Sequence, residues 1–453
     1  MDSYFVEKIN QKQGTVYLPH ALYQKELSKV TFSTKTVLCT FRASRNNKCY
    51  FSEDIWQALG IPFAQKWTLY IHEDTLYFLP IIGLFTTQYN KSTLRPFGER
   101  TEQFKQLLQL TKAHGGCAYL FTTEHIHWEN GLIRGIVYHD HQWQEQTLPF
   151  PQLVYDRTPN RRAERLTMVK DIKQRFQQDY GIPWFNPQFF NKWDIHTRLQ
   201  GHPLASQYLP KTYPLTEKYL KTALSNFTTV YIKPKKSSHG VGIKRVTALD
   251  HGKITCQTNT IDGSYSKQYP SLKHFLVSEF QDHPTEHYFL QQGIPLKTKD
   301  GKPFDFRIHT NKDGQGQWQV SACAIKIADP SKITTHNQYG GEIHSLVECL
   351  GKEKAKVYYD FLKEEALTLS QILDEQIKDL IGELGLDLGI DEDNRVWLFE
   401  INARPGKVIF HHPKIRKQEK YVNHYWIDYC TYLVKLSIQK PLWFVEAADL
   451  IPY

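Results

Sequence analysis

Short apolar runs separated by polar turns fill the N-terminal part of the chain. Strand-forming residues are concentrated in GTVYLP, KTVLCTFRAS, KCYFS and QKWTLYIHEDTLYFLP. Runs of that length between turns predict β-strands. We therefore predict a small β-rich module over residues 1–75, and no pattern within it indicates chemistry.

The pattern changes at residues 76–85, LYFLPIIGLF, where a continuous apolar run predicts one buried strand. Residues 101–114 then space Phe104, Leu107 and Leu108 as in a helix that stops at the following Gly-Gly pair. The strand CAYLFTT completes a strand-helix-strand unit. HIHWENGLIRGIVYHDHQW predicts a hairpin turning near Asn130 and Gly131, and its His-x-His pairs lack the carboxylate or thiol partners expected of a metal site. Residues 76–160 are thus predicted to form an α/β domain.

The segment LPFPQLVYDRTPNRRAER places polar residues where a strand gives way to a helix predicted over residues 161–180. Ligands of α/β sheets bind at such strand ends. Arg161, Arg162 and Arg165 are open to two interpretations, an anion site or a solvated helix face.

A strand, a small-residue loop and a second strand follow in TTVYIKPKKSSHGVGIKRV. Small residues let backbone N–H groups approach phosphates, and Lys233 would supply a point charge. The segment is not a Walker P-loop, since no helix and no Gly-Lys-Ser/Thr follow. An ordinary glycine hairpin is the alternative. The loop residues are Ser237, Ser238, Gly240 and Gly242.

Three later segments carry further polar groups on predicted strands. HYFLQQGIPL breaks at Gln291 and Gln292, FDFRIHTNK places Asp305 and Arg307 on one face by the two-residue period, and WQVSACAIKIA presents Lys326. A helix over residues 353–384 is then predicted from Val357, Phe361, Leu369, Ile372, Leu373 and Leu380.

Residues 384–407, LGLDLGIDEDNRVWLFEINARPGK, predict two strands joined by an acidic turn. Asp387, Glu400 and Asn402 could direct three oxygen ligands to one point. Hard cations such as Mg²⁺ take oxygen ligands. The hairpin therefore predicts either a Mg-nucleotide site or an acidic turn leading into a core strand.

Length and composition narrow the class of protein. A chain of 453 residues suits about three domains. The net charge of +9 is spread along the chain without the dense basic block of a nucleic-acid binder. Seven cysteines, an odd number without C-x-x-C spacing, argue against a disulfide framework and indicate a reducing, cytoplasmic setting. We expect no signal peptide and no membrane span, since no apolar run reaches about 18 residues.

Together, YDRTPNRR, FNKWDIHTRL, YIKPKKSSHGVGI, FDFRIH and the acidic hairpin resemble the ATP-grasp superfamily, and more closely its spore-coat-associated branch from endospore-forming bacteria. The resemblance runs from about residue 76 to the C-terminus. It implies an α/β and α+β multidomain protein, in which a small N-terminal β module and a pre-ATP-grasp α/β domain precede an ATP-grasp domain over residues 161–453. Two subdomains of that last domain would clamp ATP.

The resemblance also implies roles for individual residues. Lys233 would contact phosphate, residues 237–242 would form the flexible loop over the phosphates, and Arg307 with Lys326 would stabilise charge near the γ-phosphate. Residues 291–294 would be the adenine hinge, with Gln291, Gln292 and Ile294 as contacts and Gln292 standing where many relatives carry an acid. Asp387, Glu400 and Asn402 would hold Mg²⁺ or Mn²⁺. Arg404 departs from the family pattern of a small polar residue.

The implied activity is an ATP-dependent carboxylate–amine ligase acting through an acylphosphate in sporulation, in the cytoplasm or at the forming coat. An acidic peptide or protein would suit the arginines at positions 157, 161, 162 and 404. The sequence leaves two alternatives open, an ATP-grasp kinase and a non-catalytic coat scaffold. No Ser-His-Asp or Cys-His arrangement stands out, as expected where catalysis needs no side-chain nucleophile.

Overall fold

The computed structural model describes residues 3–91, 94–235, 242–260, 263–281, 284–329 and 341–441. Within these ranges the chain forms four β-sheets and ten α-helices. No helix in these ranges is long and apolar enough to cross a membrane.

The first sheet is built from the N-terminal residues. Its eight strands are β1 (Ser3–Ile9), β2 (Thr15–Pro19), β3 (Lys29–Phe32), β4 (Lys35–Leu38), β5 (Thr40–Ser44), β6 (Lys48–Ser52), β7 (Gln65–His72) and β8 (Thr75–Leu79), with helix α1 (Glu53–Leu59) before β7. They are arranged in the order β4-β3-β8-β7-β1-β6-β2-β5. Phe32, Trp67 and Phe78 form its aromatic core, with each pair of ring centroids 5.4 Å apart.

The second sheet follows the first along the chain and combines parallel and antiparallel pairs. Its strands are β9 (Ile81–Phe85), β10 (Cys117–Phe121), β11 (Ile126–His127), β12 (Leu132–His139), β13 (Gln142–Pro149), β14 (Leu153–Asp156) and β15 (Trp184–Phe185). The helices of this region are α2 (Thr101–Ala113), α3 (Arg161–Glu164) and α4 (Thr167–Gln178). The predicted helix at residues 101–114 is confirmed by α2.

Two sequence-based expectations in this region were wrong in detail. The apolar run at residues 76–85 is not one strand, because Pro80 lacks the N–H needed to continue a ladder and the chain passes there from the first sheet to the second. The helix over residues 161–180 is interrupted at Leu166, whose backbone is extended and whose side chain is 53% exposed. The hairpin predicted to turn near Asn130 and Gly131 is confirmed by the antiparallel pairing of β11 with β12, and a longer hairpin, between β12 and β13, turns at Asp140 and His141.

The third and fourth sheets are wholly antiparallel. The third contains β16 (Thr212–Pro214), β17 (Val230–Pro234), β18 (Lys244–Ala248), β19 (Ile254–Thr260), β20 (Gly263–Tyr269) and β21 (Tyr288–Gln292). The fourth contains β22 (Thr298–Lys299), β23 (Lys302–Lys312), β24 (Trp318–Ile327), β25 (Glu342–His344), β26 (Glu383–Ile390) and β27 (Val396–Asn402). The remaining helices are α5 (Lys192–Gln200), α6 (Glu217–Asn226), α7 (Leu272–Phe280), α8 (Leu346–Leu350), α9 (Lys352–Gln376) and α10 (Glu419–Gln439).

Helix α9 covers one face of the fourth sheet and leaves the other face for the site. Its buried stripe includes Leu362, Leu369 and Leu373. The predicted core positions Val357 and Phe361 are instead 66% and 38% exposed, since only one face of α9 meets the sheet. The helix also ends at Gln376, short of the predicted residue 384. Helix α10 packs on the second sheet and so connects the C-terminal region to it.

Candidate functional site

A cavity of about 440 Å³ lies between the third and fourth sheets. Basic side chains line it on the third sheet, and three acidic side chains with one lysine line it on the fourth. This pairing of charges makes it the candidate site. The third sheet contributes Lys233, Arg245, Gln291 and Gln292, and the fourth contributes Asp305, Lys326, Asp387 and Glu400.

Lys233 lies on β17, and its Nζ donates a hydrogen bond to Oε1 of Gln291 on the neighbouring strand β21. Burial, followed by the positive charge of Lys192, lowers the pKa of Lys233 to about 8. His196, which also lines the cavity, has its pKa lowered to about 4 by burial and then by Lys233. Lys233 forms no ion pair with any carboxylate of the described residues, so its charge is available to an anion entering the cavity.

Asp387, on β26, is held by two cations, Arg307 on the adjacent strand β23 and Lys326 on β24, one strand further away. Arg307 donates Nε to Oδ1 at 2.7 Å and Nη2 to Oδ2 at 2.8 Å, and Lys326 donates to Oδ1 at 2.8 Å. Burial alone would raise the pKa of Asp387, but these cations outweigh it and hold the pKa well below the ordinary range. Lys326 also lies 3.1 Å from Oδ1 of Asp305. The face shared by Asp305 and Arg307 was predicted from the strand period.

Glu400 lies directly opposite Asp387 in the β26–β27 register. Its Oε2 is 3.0 Å from Nζ of Lys192, at the start of α5. Burial works to raise the pKa of Glu400, and Lys192 does most to lower it below its usual value. Asn402 follows two residues later on the same face of β27 and is half-buried beyond the cavity lining. The predicted Asp387, Glu400 and Asn402 are therefore neighbours.

These three side chains fit a magnesium ion by their donor chemistry. All offer oxygen, the ligand type that Mg²⁺ prefers, and two are carboxylates that face each other. No group of three or more His, Cys, Asp or Glu side chains among the described residues is arranged to hold a metal by itself. A pair of carboxylates with one carboxamide suits a cation that completes its shell with phosphate and water.

The predicted adenine hinge borders the cavity through Gln291, Gln292 and Ile294. Gln292 is tied to the backbone of Lys211, since its N–H donates to the Lys211 carbonyl at 2.8 Å and its Oε1 accepts from the Lys211 N–H at 3.2 Å. A Cβ at Gly293 would lie 2.7 Å from the Thr229 carbonyl oxygen. Only glycine fits this hinge without displacement.

The predicted phosphate loop is described at Gly242 alone, where φ is +75°. Glycine adopts that conformation without the strain imposed by a Cβ. Ser237, Ser238 and Gly240 lie outside the described residues.

Arg404 and Arg157 have internal partners. Arg404 is 3% exposed, lies 2.9 Å from Oδ2 of Asp156 and 3.4 Å from Oε1 of Glu164, and donates to two backbone carbonyls. Arg157 lies 3.4 Å from Oε1 of Glu383. These arginines brace the junction between the second and fourth sheets, and the suggestion that they suit an acidic substrate loses its support.

Sequence reasoning missed Lys192 and His196. Lys192 stands 208 residues before its partner Glu400. The segment FNKWDIHTRL contains both side chains, but its pattern indicates only a helix, which Asn191 caps by accepting from the Trp193 N–H.

Two antiparallel sheets that enclose a cavity with basic and acidic walls define an ATP-grasp fold, as the sequence resemblance predicted. The chain belongs to the YheC/D like ATP-grasp family, which residues 181–433 match. It is 36% identical over 437 residues to the endospore coat-associated protein YheD of Bacillus subtilis (strain 168), an alignment covering 95% of this chain and 96% of that protein. It is 25% identical over 322 residues to the endospore coat-associated protein YheC of the same organism, covering 68% and 85%. Among solved structures, the D-alanine-D-alanine ligase from Coxiella burnetii aligns with a TM-score of 0.45 at 11% identity, covering 82% of this chain and 100% of that one.

Proposed function

We propose that this protein is an ATP- and Mg²⁺-dependent carboxylate–amine ligase. The observation that carries the proposal is one cavity in which Asp387 and Glu400 face each other beside Lys233 and Lys326, with Arg307 paired to Asp387 behind the lining. Phosphates need cations and a metal needs carboxylates, and this cavity offers both within contact of one another. Membership of the ATP-grasp family supports the same assignment.

Each side chain has a role in this proposal. Lys233 binds the phosphates, and Arg307 and Lys326 neutralise charge that develops on the transferred phosphoryl group. Gln291, Gln292 and Ile294 border the adenine. Asp387, Glu400 and Asn402 would hold Mg²⁺, which when bound neutralises phosphate charge and orients the phosphoryl group.

The reaction balances without a side-chain nucleophile. A substrate carboxylate oxygen attacks the γ-phosphorus of ATP, the bond to the bridging oxygen breaks and ADP leaves. The substrate amine then attacks the acylphosphate carbonyl carbon and loses a proton, and inorganic phosphate leaves as the amide forms. The cavity would hold these groups in position for both steps.

The two relatives with endospore-coat names support a role in sporulation at the forming coat, and the cytoplasm is the location we propose before coat assembly. We propose a peptide or protein as the carboxylate or amine substrate.

The test is ADP release by the purified protein with MgATP and a panel of amino acids and acidic peptides. We expect turnover with a member of the panel, and Glu400→Gln should abolish it while Glu392→Gln, in the exposed turn of the same hairpin, should retain it. Equal turnover in the two variants would refute the site. Circular dichroism checks that both variants fold.

Product analysis and nucleotide binding separate the alternatives. An amide with ADP and phosphate supports the ligase, whereas a stable phosphorylated product without an amide would identify a kinase. A ligand that binds only the folded state raises the melting temperature. No thermal shift with MgATP would instead favour a coat scaffold.

A further inference from the structure

A second groove, of about 730 Å³, lies outside the ATP-grasp cavity. Its floor is the first half of β24, at residues 319–323, and its walls come from α9 and from the start of α10. None of the residues proposed above for nucleotide or metal lines it. It therefore needs an account of its own.

The groove follows a sheet edge that has no strand against it in the described part of the chain. Strand β25 pairs with β24 only through residues 325–327. The chain then turns away at Ser345, which caps helix α8 by accepting from the Glu348 N–H. At the open edge, the Cys323 N–H donates to a side-chain oxygen, Oε1 of Gln418, at 2.9 Å. A side chain thus occupies a position that a neighbouring strand would fill.

The groove is positively charged. Lys352, Lys356 and Lys363 project from α9 at spacings of four and seven residues, which places them on one face of the helix. Lys414 lines the opposite wall and pairs with Glu348 at 2.9 Å. No aspartate or glutamate lines the groove among the residues that the structure describes, and Lys352, Lys356 and Lys363 form no ion pair there.

Exposed apolar and aromatic side chains complete the lining. Val347 is 57% exposed, Tyr421 is 48% exposed and Tyr359 is 36% exposed. Tyrosines of this kind are frequent in peptide-binding surfaces, because a ring offers a large contact area and a hydroxyl for hydrogen bonding.

We propose that this groove binds an acidic peptide segment in extended conformation, which adds as a strand to the edge of β24. The free edge specifies the conformation, since main-chain hydrogen bonds to a sheet edge require an extended partner. The lysines specify the charge of its side chains. Residues 319–323 give room for about five peptide residues, roughly 17 Å at the rise of a strand. The peptide would displace the Gln418 carboxamide from the Cys323 N–H.

The test is fluorescence anisotropy with three labelled peptides and the full-length protein. The first alternates glutamate with valine, the second replaces glutamate with glutamine, and the third is the acidic peptide with backbone N-methyl groups on alternate residues. We expect the acidic peptide to bind, with an affinity that falls as salt rises. The glutamine peptide should bind more weakly, and N-methylation on the pairing edge should abolish binding.

Two variants of α9 locate the binding surface. Lys356→Glu should lower the affinity for the acidic peptide by about five- to tenfold, because it replaces an attraction with a repulsion at an exposed position. Lys354→Glu reverses a charge on the same exposed helix outside the groove and should change affinity by less than about twofold.

Equal effects of the two variants, or equal binding of the acidic and glutamine peptides, would overturn the proposal. Undiminished binding of the N-methylated peptide would overturn strand addition. The lysines could instead serve only to stop the β24 edges of two protein molecules from pairing with each other. In that case the acidic peptide will not bind, the Lys356→Glu variant will self-associate, and the proposal is overturned. MgATP turnover is measured in parallel on the same protein. Loss of turnover tests the ligase assignment, whereas loss of peptide binding tests the peptide groove.

Discussion

Replacing Arg404 with methionine should destabilise the junction between the second and fourth sheets without changing nucleotide affinity. The guanidinium lies 2.9 Å from Oδ2 of Asp156 and donates to the carbonyls of Asn186 at 3.1 Å and Thr158 at 3.2 Å. Asp156 ends β14, whereas Arg404 follows β27. The side chain therefore connects segments that are distant in sequence.

The loss of unfolding free energy depends on which other hydrogen bonds and ion pairs Asp156 keeps after Arg404 is replaced. Removing one member of a buried ion pair costs about 3–5 kcal/mol. Asp156 keeps the Trp184 indole N–H at 2.9 Å, the Thr158 N–H at 2.8 Å and Lys173 at 3.8 Å. The lower end of that range is therefore expected, about 3 kcal/mol, or about 6–12 °C in Tm for a cooperative unit of domain size.

Urea denaturation and calorimetry measure the loss, with Arg162→Met as the matched control. Arg162 is exposed on α3, so its replacement should change stability by less than about 0.5 kcal/mol. If Arg404→Met is as stable as the control, the bracing role is wrong. If it folds normally but loses ATP affinity, Arg404 belongs to the site instead.

Three further outcomes are expected at the proposed nucleotide site. ATP affinity by calorimetry should fall about tenfold per pH unit above pH 8, because burial lowers the pKa of Lys233 to about 8 and the neutral amine no longer attracts phosphate; a flat profile would contradict this. Gly293→Ala should weaken ATP binding, because its Cβ would lie 2.7 Å from a backbone carbonyl oxygen. Gly406→Ala, which has open space around it, should leave ATP affinity unchanged, and equal affinities of the two variants would exclude a hinge role for Gly293. Lys192→Met should move the acidic limb of the pH–rate profile for turnover to higher pH, since burial and the loss of this cation both raise the pKa of Glu400; an unmoved limb would refute the coupling.

The acidic hairpin was predictable because its determinants are local. The predicted acidic turn contains Asp391, whose Oδ1 accepts from the Arg395 N–H at 2.9 Å and whose Oδ2 accepts from the Trp397 indole at 2.7 Å. Once the turn is fixed, the strand period places Asp387 opposite Glu400. The proximity of these two carboxylates is therefore determined within residues 387–400, a stretch short enough for sequence patterns to predict.

Other features depend on which surfaces meet in three dimensions. The run at residues 76–85 is apolar on both sides of Pro80 because each half is buried in a different sheet, and periodicity cannot distinguish one long strand from two short ones. Likewise, Val357 and Phe361 fit a helical stripe, but the fourth sheet meets another face of α9. The ion pair of Lys192 has no local signature at all.

The charges of the cavity explain why metal and nucleotide should bind together. Asp387 is held by Arg307 and Lys326, and Glu400 by Lys192, so an added cation must compete with ion pairs already formed. Phosphates change that balance, because they give the same basic side chains other anionic partners and thereby release the carboxylates. Lys233, which has no carboxylate partner among the described residues, is the cation best placed to attract the first phosphate. In the proposed ligase, these ion pairs would keep the carboxylates ionised and the basic groups in position until both ligands arrive.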